Sequence, residues 1–137
     1  MSHNTVRALF EARLEQWAKT KGLHVQYEND STYDPADGDT YLEAFTLPAL
    51  TGSETLDGIH REYRGIFQVN VVTAAGTGAA AGRALGEELA ALYPLNDRLS
   101  KGSFTVQIIE PMAQARGISE PTTYTIPVSL TYRADTI

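Results

Sequence analysis

The sequence predicts an α+β fold: a mixed, mostly antiparallel sheet with two helices packed on one of its faces. Two segments carry apolar residues at three- and four-residue spacing, five others alternate or form short β-rich runs, and Gly or Pro marks most junctions. At 137 residues, the chain is expected to form one domain over 1–137.

The first helix is expected over residues 5–20, where Val6, Phe10, Leu14 and Trp17 form a stripe widened by Leu9 and Ala18. Asn4 or Thr5 is placed to cap its start. Gly22 stops it after Lys19 and Lys21 have put positive charge near the negative end of the helix dipole. A short strand over 23–27 precedes a polar stretch rich in turn formers, and a second strand over 41–47 is expected to end at Pro48. The third strand, over 59–73, is the longest; Phe67, Val69 and Val71 share one face, Gln68 and Asn70 the other, and Gly65 marks a bulge or a close backbone approach.

The second helix is expected over 78–93, with Leu85, Leu89 and Leu92 as its stripe, Ala81 and Ala84 as a close-packing flank, and Pro94 as its stop. Residues 95–102 read as a loop, and Phe104, Val106 and Ile108 define a fourth strand over 103–110. Residues 111–120 read as a connection. The fifth strand, over 122–133, places Tyr124, Ile126, Val128, Leu130 and Tyr132 on one face. Pro127 has no N–H, so this strand is expected to be an edge there or to turn that position away from the ladder.

Composition narrows the function. The net charge is −6 and the basic residues are scattered, which argues against phosphate neutralisation and so against sequence-specific nucleic-acid binding. There is no cysteine, so disulfides and Cys-based nucleophiles or metal sites are excluded. The polar N-terminus does not read as a signal peptide, and no apolar run approaches the ~18 residues of a membrane span. The expectation is a soluble protein assembled in the cytoplasm.

The strongest catalytic lookalike is Gly76-Thr-Gly78 with Gly82, between a strand and a helix, where backbone amides could cradle phosphate. It has neither the Lys-Ser/Thr ending of a P-loop nor a parallel strand–helix–strand continuation, and reads as a tight turn with small residues for close packing. Asp30, Asp34, Asp37 and Asp39 invite a calcium reading, but the ligand order of an EF-hand is missing and a solvated turn is expected. His3 reads as a frayed terminus, and His24 and His60 as exposed strand residues. No serine sits in a nucleophile-elbow context. No cofactor, metal or catalytic residue is assigned, and the chain is expected not to be an enzyme.

Five blocks then carry a family resemblance: the Trp17 helix followed by Gly22; Tyr27-Glu-Asn with Tyr33-x-Pro35; Tyr63-Arg-Gly-Ile-Phe-Gln-Val-Asn-Val; Gly76-Thr-Gly with the helix to Leu92-Tyr-Pro; and Ile126-Pro-Val-Ser-Leu-Thr-Tyr-Arg133. In this order they resemble the tail terminator proteins of long, non-contractile-tailed bacteriophages and prophages. The resemblance implies a structural virion protein, assembled in the bacterial host cytoplasm. It would form a ring, hexameric in the family, on the head-proximal end of the tail tube. Its partners would be copies of itself, the tube protein and a head-completion or connector protein, and DNA would pass through the ring. An acidic subunit suits that passage, because like charge disfavours phosphate contact.

Contacts are expected from the polar loops 30–40 and 51–58, with Tyr33, Asp34 and Asp37 in the first. Arg61, Tyr63 and Arg64 are candidates for the subunit seam, since Arg and Tyr are enriched at interfaces; the plainer reading makes the two arginines solvated strand residues. The rival readings are another head–tail connector or neck protein and, in a different class, a small nucleotide-binding domain using residues 76–82.

Overall fold

The computed structural model describes residues 2–30, 35–36, 38–52 and 61–136. In chain order it contains α1 (His3–Lys21), β1 (Val25–Tyr27), β2 (Tyr41–Gly52), β3 (Arg61–Ala74), α2 (Ala80–Leu92), β4 (Arg98–Lys101), β5 (Phe104–Gln114), β6 (Ile118–Ser119) and β7 (Thr123–Thr136). The seven strands form one sheet in the order β1-β2-β3-β7-β5-β4, with β6 also paired to β7. Only β1 runs parallel to its neighbour. This is the α+β architecture expected from alternation.

Helix α1 starts at Ser2, whose Oγ accepts from the Thr5 N–H, so the cap lies two residues before Asn4 and three before Thr5, the two residues expected to hold it. It ends at Gly22, whose left-handed backbone, φ 69°, lets its N–H reach back to the carbonyls of Ala18 and Lys19. Val6, Phe10, Leu14 and Ala18 are buried, and Trp17 and Leu9 are half-buried flanks of that stripe.

The register explains the core. Leu42 and Ala44 stand opposite Val71 and Val69, which stand opposite Ile126 and Val128; Phe67 faces Leu130, and Ile108 faces Tyr132. These side chains therefore share one face, and both helices lie on it. Phe10 and Phe67 stack with centroids 4.9 Å apart, and Tyr93 meets both rings edge-on while its hydroxyl donates to the Phe10 carbonyl at 2.7 Å. Burial pushes the Tyr93 hydroxyl well above the ordinary tyrosine range. Arg13 ties the helices together, donating to the Leu92 carbonyl at 3.1 Å and to Asp97 Oδ2 at 2.5 Å.

Several expectations change. Helix α2 packs through Gly82 and Gly86, not through Ala81 and Ala84, which are exposed. The glycines lie four apart on one face, and an added Cβ would come within 2.8 Å of Ile126 Cδ1 and 2.6 Å of the Gln114 side chain. Strand β2 continues through Pro48. The N–H groups of Leu42 and Thr46 point away from β3, to the His24 carbonyl and Glu28 Oε1, so alternation turns the Pro48 nitrogen outward too. The register then shifts between Pro48 and Thr51. Residues 95–102 contain β4, and β5 crosses Pro111 through two register shifts.

Strand β7 is interior, not an edge. The Pro127 carbonyl accepts from the Ala115 N–H at 2.8 Å, so its nitrogen faces the break between β5 and β6 and the β3 ladder is intact.

Candidate functional site

The second face of the sheet carries no helix among the described residues. By alternation it presents Glu43, Phe45 and Leu47 from β2; Glu62, Arg64, Ile66, Gln68 and Asn70 from β3; Ser129, Thr131, Arg133 and Asp135 from β7; and Thr105, Gln107 and Ile109 from β5. A shallow hollow of about 560 Å3 lies on its β4–β5–β7 side, lined by Arg98, Ser100, Thr105, Gln107, Arg133 and Asp135 among others. Leu47 and Ile66, opposite one another in register, are 46% and 37% exposed.

Four charges on this face, those of Glu62, Arg64, Arg133 and Asp135, are arranged in pairs. Arg64 stands opposite Arg133 and Glu62 opposite Asp135, an order that places like charges together. Pairing along and diagonally between strands relieves it: Arg64 pairs with Glu62, Arg133 with Glu62 at 3.2 Å and with Asp135 at 3.0 Å. Arg64, Arg98 and Arg133 thus face Glu43, Glu62, Asp135 and, opposite Thr131, Glu110, which leaves no excess of positive charge. Asn70 donates to Glu43 at 3.3 Å and accepts from Gln68 at 2.8 Å.

The three seam candidates do not act as one patch. Arg61 is exposed at the start of β3, Arg64 lies on the open face, and Tyr63 turns toward the helix side, edge-on to His3 and Phe104 at 5.1 and 6.1 Å. Tyr33, Asp34, Asp37 and His60 lie outside the described residues. Among the described residues no group of three His, Asp or Glu side chains is disposed to hold a metal ion, and no helix is long and apolar enough to cross a membrane.

His3 differs from its expected place. Its ring lies in the first turn of α1, with Nδ1 2.6 Å from the Tyr132 hydroxyl and Nε2 3.2 Å from Thr51 Oγ1, so it ties the helix start to β2 and β7. The signal for it was only its position ahead of an apolar stripe. Burial holds His3 below the ordinary histidine value of 6.5, and pushes Tyr132 up to about 12. The folded state therefore favours neutral His3. Its stabilisation is present above the unfolded value and is lost as pH falls from there through the lower folded value. Thermal melts of the wild type and His3→Gln should show the wild-type advantage shrinking between about pH 7.5 and about pH 5.5. An advantage constant across that interval contradicts this role.

The Gly76–Gly78 turn uses positive φ at both glycines, 80° and 87°, to bring β3 into α2. Gly76, Gly78, Ala79 and Tyr124 line a hollow of about 240 Å3 there. The next strand, β4, lies at the far margin of the sheet and, through three antiparallel pairings, runs opposite to β3. The parallel strand–helix–strand frame of a dinucleotide site is not built.

Comparisons with known proteins agree with this architecture. The family model described as phage tail terminator protein matches residues 5–132. One solved structure is 38% identical and superposes with a TM-score of 0.83, covering 100% of this chain and 98% of its own. No curated protein matches the chain.

Proposed function

The chain belongs to the phage tail terminator family, whose members are structural proteins of the phage tail, and on that premise we propose that it caps the head-proximal end of the tail tube as a ring. The ring, of six copies in this reading, stops tube polymerisation and presents the surface to which the head is joined, in phages or prophages with long, non-contractile tails. Its partners are other copies of itself, the tube protein and a head-completion or connector protein, and it acts without catalysis. The family match over 5–132 carries this reading. The broad sheet face, which no helix covers among the described residues, supports it, because a subunit that works by docking needs accessible surface more than a cleft with converging titratable groups.

DNA passing through such a ring would meet a surface without net positive charge. With Arg64 and Arg133 both engaged by carboxylates, the open face offers phosphates no continuous basic track. The exposed Arg61 and Arg64, residues 30–40, and residues 51–58, which begin in the end of β2 and from 53 on lie outside the described residues, are the segments we assign to contact with tube and neighbour.

The test is tail length. Tails assembled without this protein should be overlong and headless by electron microscopy. Normal lengths in its absence contradict the proposal, and normal-length tails that fail only to join heads would favour a neck component.

A further inference from the structure

Resting on the ring reading, we propose that copies of this chain join head to tail through charge, the acidic β1–β2 margin of one copy facing the basic β4–β5 margin of the next. The segregation begins in the sequence. Residues 22–44 contain six Asp or Glu and no Lys or Arg, whereas residues 98–109 contain Arg98 and Lys101 and no Asp or Glu, with Asp97, paired to Arg13, just before them and the exposed Glu110 just after. The fold carries β1 with β2, and β4 with β5, to opposite ends of the strand order.

On the acidic side, Glu28 is exposed just beyond β1, and Glu43 projects from β2 on the open face. On the basic side, Arg98 and Lys101 bound the edge strand and are both exposed. Among the described residues no ion pair engages any of these four. Five inter-strand spacings put the margins about 24 Å apart. That is well beyond the screening length of ~8 Å at physiological salt, so the two margins cannot neutralise each other within one subunit. A second copy supplies the complementary charge to each.

A contact between two different patches is heterologous, and it closes into a ring when the rotation between copies allows. Side chains, not a continued sheet, make the joint. On β2 the outward Thr46 N–H is already taken by Glu28 Oε1 at 2.6 Å and the next outward position is Pro48, which has no donor. The edge strands β1 and β4 span three and four residues. Edges this short discourage strand addition, which favours complementary charge to steer and orient the neighbour.

The test is a charge swap. Arg98→Glu with Lys101→Glu makes the β4–β5 margin acidic like its partner, and Glu28→Lys with Glu43→Lys reverses the two carboxylates placed on the β1–β2 margin. Each double variant, checked for folding by circular dichroism, should lose the ring species in sedimentation and negative-stain microscopy, both free and at tube ends. An equimolar mixture should recover it, since alternating copies match at every contact and close with an even number of subunits. If Glu28→Lys unfolds the chain by uncapping Thr46, Glu28→Gln replaces it. Rings from either variant alone at the wild-type level, or a mixture that stays dissociated while both variants are folded, overturn the charged joint and leave the ring reading standing. A wild type that forms no ring, free or on tubes, sinks the ring reading itself.

Discussion

Replacing Phe10 by Ala should remove about 3–5 kcal/mol of stability, the range for deleting a fully buried aromatic ring. Phe10 is inaccessible to solvent and lies where α1, the sheet and the end of α2 meet. It stacks on Phe67, takes Tyr93 edge-on at 5.7 Å and Tyr132 at 5.8 Å, and its carbonyl receives the Tyr93 hydroxyl. The cavity left behind cannot collapse easily, because three of its walls are aromatic rings anchored on different elements. Against a total stability of about 5–15 kcal/mol, the loss is large. For a domain of this size it corresponds to a fall in melting temperature of roughly 10–20 °C. Calorimetry on the two proteins measures it directly, and a fall of a degree or two would show that the aromatic cluster is not the centre of the fold.

Gly65→Ala should act by the opposite physics, crowding in place of cavity. A Cβ at Gly65 would stand 2.4 Å from the Tyr132 hydroxyl and 2.7 Å from the Leu47 carbonyl oxygen. The first neighbour is held by His3 and the second is backbone of the paired strand, so neither yields cheaply. Overpacking of this kind costs about 1–3 kcal/mol, and here the upper end is expected because the shift also strains the His3–Tyr132 hydrogen bond. Denaturant unfolding should move to a lower midpoint with an unchanged slope. A midpoint equal to the wild type would mean that β2 and β3 separate freely at Pro48, where the register already shifts.

The strands and helices that make this core were legible because burial on one face imposes a period. Phe67, Val69 and Val71, or Ile126, Val128 and Leu130, alternate with polar residues over a long enough run to declare themselves. Strand β4 was not legible, since Arg98–Lys101 contributes one buried residue, Leu99, and a single inward position has no period. The prolines misled for a related reason. Sequence shows that Pro48 and Pro127 lack a donor, but only the pairing shows that the missing donor faces an open edge in one case and the gap between β5 and β6 in the other.

The surface was harder still. Arg61, Tyr63 and Arg64 are neighbours in sequence, yet alternation separates them, Tyr63 to the helix side and Arg64 to the open face. His3 gave no periodic signal, because its partners Thr51 and Tyr132 lie 48 and 129 residues away. The glycines before α2 resemble a phosphate site locally, and only the strand order, with β4 at the far margin, explains Gly82 and Gly86 as close-packing positions.

The most direct measurement is the length distribution of tail tubes grown from purified tube protein, with and without this chain added during growth. If it caps tubes by shape, growth stops after addition and a ring sits at one end of every arrested tube. Tubes that lengthen at the same rate with bare ends, while the added protein is folded, would contradict the account.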